Sequence, residues 1–208
     1  MTLRTHELHP AIVHAPLALL PFAAGVEVLA AVRPRDRRLD RFGRRLWWTT
    51  AGSALLVGLT GMAASQEIEL ESPQARDKLF LHGIGNFGLV AAAFGVAAWR
   101  SAHRASATSA ASAIVATAAS VYTAYLGGDI VYAHGAGVKV LGGPPAQNPG
   151  LFSREAPGRL ARDAGRGLAW LLRRAGRAIT GKERVDRAAL GPIAEVGTGA
   201  EAPAPFVH

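Results

Sequence analysis

Histidine carries most of the chemistry this chain can offer, because the sequence contains no cysteine. Thiolate metal sites, disulfides and iron–sulfur ligation are therefore excluded for the chain alone, and imidazole and carboxylate are the strong metal ligands left. His9 and His14 open the segment HPAIVHAPLALLP, His82 opens LHGIGN, and His134 closes GGDIVYAHGAGV. Counting back from Arg33 to His14 gives 19 residues, and from Arg100 to His82 gives 18. At about 1.5 Å per helical residue, both imidazoles then lie roughly 27–29 Å from the same charged boundary. The GGDIVYAHGAGV segment arrives at that level from the opposite direction, where Gly127 and Gly128 are expected to loosen the helix and turn Asp129, Tyr132 and His134 inward. His9 belongs to the same side. Four of the seven histidines thus gather at one end of whatever structure these segments build.

Several chemistries suit that arrangement. Heme b ligated by two histidines from facing helices is the first, with His14 and His82 as the favoured axial pair and His134, Tyr132 and Asn86 beside them. A copper, iron or zinc ion held by His9, His14, His82 and His134 with Asp129 is the second. Proton or quinone chemistry without a metal is the third. Against all three stands a structural reading: the imidazoles are satisfied within a packed bundle, and the chain is a non-catalytic membrane subunit or anchor that docks a partner. Pro16 and Pro21 bear on each reading, since a proline lacks the amide donor and frees the carbonyls of Ile12 and Leu17. Glu27 is expected to pair with the arginines between Arg33 and Arg45 or to reach the interface, with a proton relay as the alternative. No phosphate loop, nucleophile elbow or serine–histidine–aspartate arrangement is present, so hydrolase chemistry has no support.

The elements that must position these residues are helices in lipid. Half of the chain is apolar, and its mean hydropathy is +0.17. Four apolar runs, Pro10–Val32, Leu46–Ala64, Phe80–Trp99 and Thr108–Tyr132, are each long enough to cross a hydrocarbon core of about 30 Å. The basic cluster follows the first run instead of preceding it, so that run is expected to stay as a membrane helix and not to be cleaved as a signal peptide. The net charge of +8 comes from two blocks, seven arginines between Arg33 and Arg45 and eleven basic residues from Lys139 onward. Neither is interleaved with aromatics as a nucleic-acid surface would be, and no nucleic-acid partner is expected. The loop QEIELESPQARDK holds four acids against two bases, so the arginine-rich first and third connections are expected in the cytoplasm and both termini outside an inner membrane.

In the fourth run Ser112, Ala116, Ser120, Ala124 and Gly128 recur every four residues beside Ala111, Ala119, Thr123 and Gly127. Gly88, Ala91, Ala92 and Gly95 do the same in the third, and such small faces let helix backbones approach closely. The expected fold is all-α, an integral membrane four-helix bundle over residues 1–141. A Gly/Pro-rich linker follows over 142–157, then a basic amphipathic helix over 158–190 and a disordered tail over 191–208. Leu160, Ala164, Leu168, Leu171, Leu172 and Ala175 line one face of that helix, for the bilayer interface or for a partner.

The motifs HPAIVHAPLALLP, LHGIGN and GGDIVYAHGAGV resemble those of a bacterial four-helix membrane family, domain of unknown function 2231, over about residues 9–141. The common pattern has phenylalanine where this chain has Ala15, and a hydrophobic residue where it has Asp129. Relatives joined to Rieske-type iron–sulfur domains imply a redox setting, with quinone or a membrane oxidoreductase as exchange partner. Since this chain lacks cysteine, a Rieske-type or other redox protein would be a separate partner.

Overall fold

The computed structural model describes residues 5–68, 70, 72–137 and 152–193, with Thr5 and His6 described by their backbone alone. Its helices are α1 (Thr5–Ile12), α2 (His14–Val32), α3 (Arg37–Ala64), α4 (Pro73–Ala102), α5 (Ala107–Tyr132) and α6 (Ala156–Ile179), followed by a 3-10 turn at Arg187–Leu190. No strand occurs among the described residues. Residues 142–151 of the expected linker over 142–157 and most of the expected disordered tail lie outside the described residues.

Helices α2 to α5 close into a bundle in which each packs on the next and α5 returns to α2. Local chemistry fixes the corners. Asp36 caps α3 by accepting the Arg38 and Leu39 amides at 3.0 and 2.9 Å, and Ser72 caps α4 by accepting the Ala75 amide at 3.0 Å, with Pro73 in the first turn. Ser106 and Ser109 cap α5 reciprocally. At the N-terminus Pro16 has no amide to offer Ile12, and the next bond, from Leu17 to Val13, is stretched to 3.5 Å. The chain breaks there into α1 and α2, and α1 leans onto α3.

Three helices are long and apolar enough to cross a membrane: Glu7–Val32, Pro73–Ala102 and Ala107–Tyr132. The Leu46–Ala64 run lies in α3, which is not one of them. Trp47, Trp48, Thr49, Thr50, Thr60 and three glycines dilute its apolar content, and α1, α2, α4 and α6 all pack on it. The bundle of four long helices and the expected C-terminal amphipathic helix are both present, the latter as α6 over Ala156–Ile179.

The core is built from small side chains around one large one. Trp47 is fully buried with Leu20, Ala23, Ala24, Val26, Leu46, Ala97 and Ala113. The small-residue stripes fare unequally. On α5, Ser120 and Thr123 are buried as expected, but Ala111 and Ser112 are exposed and Ala113 takes the core position. On α4 the stripe Gly88, Ala91, Ala92 and Gly95 faces outward, whereas Ala93, Ala97 and Arg100 face the bundle. Close approach to α5 occurs instead at Gly85, where a Cβ would stand 2.6 Å from the Thr123 methyl.

The apolar face of α6 is covered by this chain itself. Leu171 and Ala164 are buried, and Gly167 sits so close to α3 that a Cβ would fall 2.3 Å from the Met62 carbonyl oxygen. One arginine belongs to the inward face. Arg174 pairs with Asp77 of α4, donates to the Arg76 carbonyl at 2.7 Å and to Glu183 at 2.7 Å, and lies 4.8 Å over the Phe80 ring. The turn at Arg187–Leu190 is tied back to α5, its Leu190 carbonyl accepting the Tyr122 hydroxyl at 3.0 Å.

Candidate functional site

Two polar centres occupy opposite ends of the bundle. At the arginine-rich end, Glu27 of α2 and Arg100 of α4 are both fully buried and in contact, the Arg100 Nε lying 2.8 Å from Glu27 Oε1. Glu27 also accepts the Trp47 indole N–H at 3.1 Å and the Ser109 hydroxyl. Arg100 donates a further nitrogen to Asp40 of α3 at 2.7 Å and another to the His103 carbonyl. Asp40 accepts the Ala105 amide at 3.2 Å as well. All four bundle helices thus contribute to one hydrogen-bonded cluster. Burial alone would raise the Asp40 carboxyl, but the bonds from Arg100 and Ala105 and the charges of Arg100 and Arg44 outweigh it and hold the group below the ordinary carboxylate range. Glu27 therefore pairs with Arg100, and not with the Arg33–Arg45 cluster as the sequence suggested, because the last turn of α4 turns that guanidinium inside.

At the histidine end the imidazoles that face the bundle are those of His9 and His82. His9 Nδ1 lies 3.1 Å from the Val57 carbonyl oxygen of α3, with the ring over Gly61, where a Cβ would come within 2.8 Å of Cε1. His82 repeats this on α5: its Nδ1 lies 2.8 Å from the Thr123 carbonyl oxygen, with the ring over Gly127, where a Cβ would come within 2.7 Å of Cε1. A carbonyl can only accept, so each Nδ1 is the protonated nitrogen and each Nε2 keeps its lone pair. Asn86, one turn beyond His82, donates to the His82 carbonyl at 2.8 Å, keeps its amide nitrogen 3.3 Å from His82 Nε2, and accepts the Thr123 hydroxyl at 3.3 Å.

The two centres are related along the chain. Eighteen residues separate His9 from Glu27, and eighteen separate His82 from Arg100. In each hairpin, the first formed by α1 and α2 with α3 and the second by α4 with α5, the carbonyl that meets the imidazole and the glycine beneath it are four residues apart, Val57 with Gly61 and Thr123 with Gly127. The first hairpin and the second hairpin therefore place an imidazole and an ion-pair partner at matching heights, and the pair closes between them.

The other expected site residues lie elsewhere. His14 is exposed on α2. It stands five residues from His9, about 140° round a helix, so the two cannot share a face unless the break at Val13 turns one back. Tyr132 is 91% exposed. Asp129 is engaged by Lys78, and α5 stays helical through Gly127 and Gly128 to Tyr132 instead of opening. His134 is half-buried, and its shielded Nε2 has no hydrogen-bond partner among the described residues. Among the described residues no three of histidine, aspartate and glutamate stand together as a metal-holding group, so the expected set of His9, His14, His82, His134 and Asp129 is not assembled there.

Comparison with known proteins is consistent with the helices and the motifs. No curated protein and no solved structure matches the chain. The profile of one family, described as a predicted membrane protein of domain of unknown function 2231, matches residues 5–140. That span takes in α1 to α5, both hairpins and both polar centres, and the chain belongs to this family of membrane proteins.

Proposed function

We propose that the histidine end is a two-imidazole centre for heme b, formed by His9 and His82, through which the protein carries single electrons within the membrane. The supporting observation is the matched pair of Nδ1 contacts to the Val57 and Thr123 carbonyls. Such a bond to a backbone carbonyl fixes ring orientation and tautomer and makes Nε2 the lone-pair nitrogen, as metal-ligating histidines require; on His82 the Asn86 amide, 3.3 Å from Nε2, would have to turn aside for a metal. The donor set suits heme better than a simple ion, since two nitrogens from facing helices satisfy an iron porphyrin whereas zinc or copper calls for more protein ligands. When bound, the group would supply one-electron chemistry. The chain's own part is to hold the two rings, keep their tautomers and exclude water, with Asn86 steadying His82. In this reading the arginine-rich end faces the cytoplasm and the histidine end the outside of an inner membrane, where a quinone or a separate Rieske-type protein exchanges electrons.

A second reading keeps the protein as a non-catalytic membrane subunit. It is favoured by the seating of both rings, which rest on glycine backbones and fill the grooves they occupy. The purified protein separates the two. A reducible Soret absorption with a pyridine-hemochrome signal supports heme, and a folded, colourless protein that takes up no added hemin refutes it.

A further inference from the structure

We propose that the arginine-rich end carries a binding site for the phosphate headgroup of an anionic phospholipid. A cavity of about 180 Å³ opens there between the start of α3 and the α4–α5 connection, lined by Arg37, Asp40, Arg41, Arg44, His103 and Arg104. Arg37, Arg41 and Arg44 recur at helical spacing and so share one face of α3. Arg104 reaches the cavity from the other side, anchored by one nitrogen to the Pro34 carbonyl at 2.9 Å, which leaves its remaining donors available. The single acid does not cancel this charge, because Asp40 Oδ1 is matched by the buried Arg100 at 2.7 Å and Oδ2 faces Arg44 at 3.8 Å, which leaves the charges of Arg37, Arg41 and Arg104. Three guanidinium groups and an imidazole therefore face a site whose one carboxylate is taken up by Arg100 and Arg44.

The surroundings select a lipid as the source of the phosphate. Trp48 and Trp99 are exposed just below the cavity. The Trp48 indole N–H donates to Ser101 at 3.1 Å, and the Trp99 ring stacks on His103 at 3.7 Å. Exposed tryptophans mark the headgroup level of a bilayer, and Phe22 and Phe42, also exposed, pack edge to face at 6.2 Å. A phosphate seated among the arginines would have its acyl chains on these apolar side chains, an arrangement that basic pockets at membrane interfaces share. The site stands independently of the histidine centre.

The test uses the full chain in detergent, titrated with phosphatidylglycerol or phosphatidylcholine and read by native mass spectrometry. Phosphatidylglycerol should bind preferentially. Arg41→Gln alone should weaken it about fivefold, and Arg37→Gln, Arg41→Gln and Arg104→Gln together on the order of a hundredfold, at roughly 1 kcal/mol per basic group. Arg162→Gln, Arg173→Gln and Arg184→Gln together remove the same charge from exposed positions near the other end and should leave binding unchanged. Equal losses in the two triple variants, or no loss in either, overturn the site. Complete displacement of the lipid by millimolar inorganic phosphate overturns the lipid as its occupant.

Discussion

Arg100 is the side chain on which the bundle's polar core depends most. Replacing it with methionine keeps much of the volume and removes the charge, leaving Glu27 at 0% exposure without its cation and Asp40 at 8% with only Arg44, 3.8 Å away. Breaking a buried ion pair from one side costs about 3–5 kcal/mol, since the remaining charge stays desolvated. Here two carboxylates lose a partner at once, and Trp47 and Ser109 keep only part of the Glu27 hydrogen bonding. Arg100→Met should therefore destabilise the protein by at least about 3 kcal/mol. Glu27→Gln combined with Arg100→Met should recover a large part of that loss, because the buried uncompensated charge is gone and the two sites share one network. Reversible unfolding in mixed micelles, followed by tryptophan fluorescence, measures both. A loss under 1 kcal/mol in the single variant, or strictly additive losses in the double, would refute the reasoning.

Gly127→Ala and Gly61→Ala each put a methyl group within 2.8 Å of an imidazole carbon, and should cost about 1–3 kcal/mol by overpacking. Gly88→Ala, with open space around it, is the control, and equal melting temperatures for all three would show that the rings are not wedged. The Asp40 carboxyl is held below its ordinary range, so its contribution is fully present above the unfolded value near pH 4 and is lost as pH falls through the lowered folded value. Asp40→Asn should flatten that acid limb, and an unchanged limb would assign it to other carboxylates. Cysteines placed at exposed Gln66 and Arg35 report the topology in this cysteine-free chain: an impermeant reagent added outside should modify the first and spare the second, and the reverse pattern overturns the proposed orientation.

The helices were legible because apolar length and cap residues act locally. Asp36, Ser72 and Ser106 stand directly before the helices they cap, but the stretch between Arg33 and Arg45, read as a connection, is one only over residues 33–36, since α3 begins at Arg37. Which face each helix turns inward was less legible. The α4 stripe of Gly88 and Gly95 has the spacing of a packing face, yet Ala93, Ala97 and Arg100 take that place because Glu27 draws the guanidinium into the bundle. Arg100 itself read as a boundary marker, since an arginine at the end of an apolar run is usually solvated. The equal interval from His9 to Glu27 and from His82 to Arg100 was visible in the sequence, but a glutamate and an arginine do not look like a repeat until they meet. His9 was hidden for a related reason. The break at Val13 decides which of His9 and His14 faces α3, and nothing local to the motif specifies how far α1 leans.

The central claim, that His9 and His82 form one ligand pair, is tested most directly by the heme-to-protein ratio of the purified protein beside His9→Ala, His82→Ala and His14→Ala. The account predicts bound heme in the wild type, its loss or spectral conversion in each of the first two variants, little further change when they are combined, and wild-type content in His14→Ala. Heme lost from His14→Ala and kept in His9→Ala, or no heme in a folded wild-type protein, would contradict it.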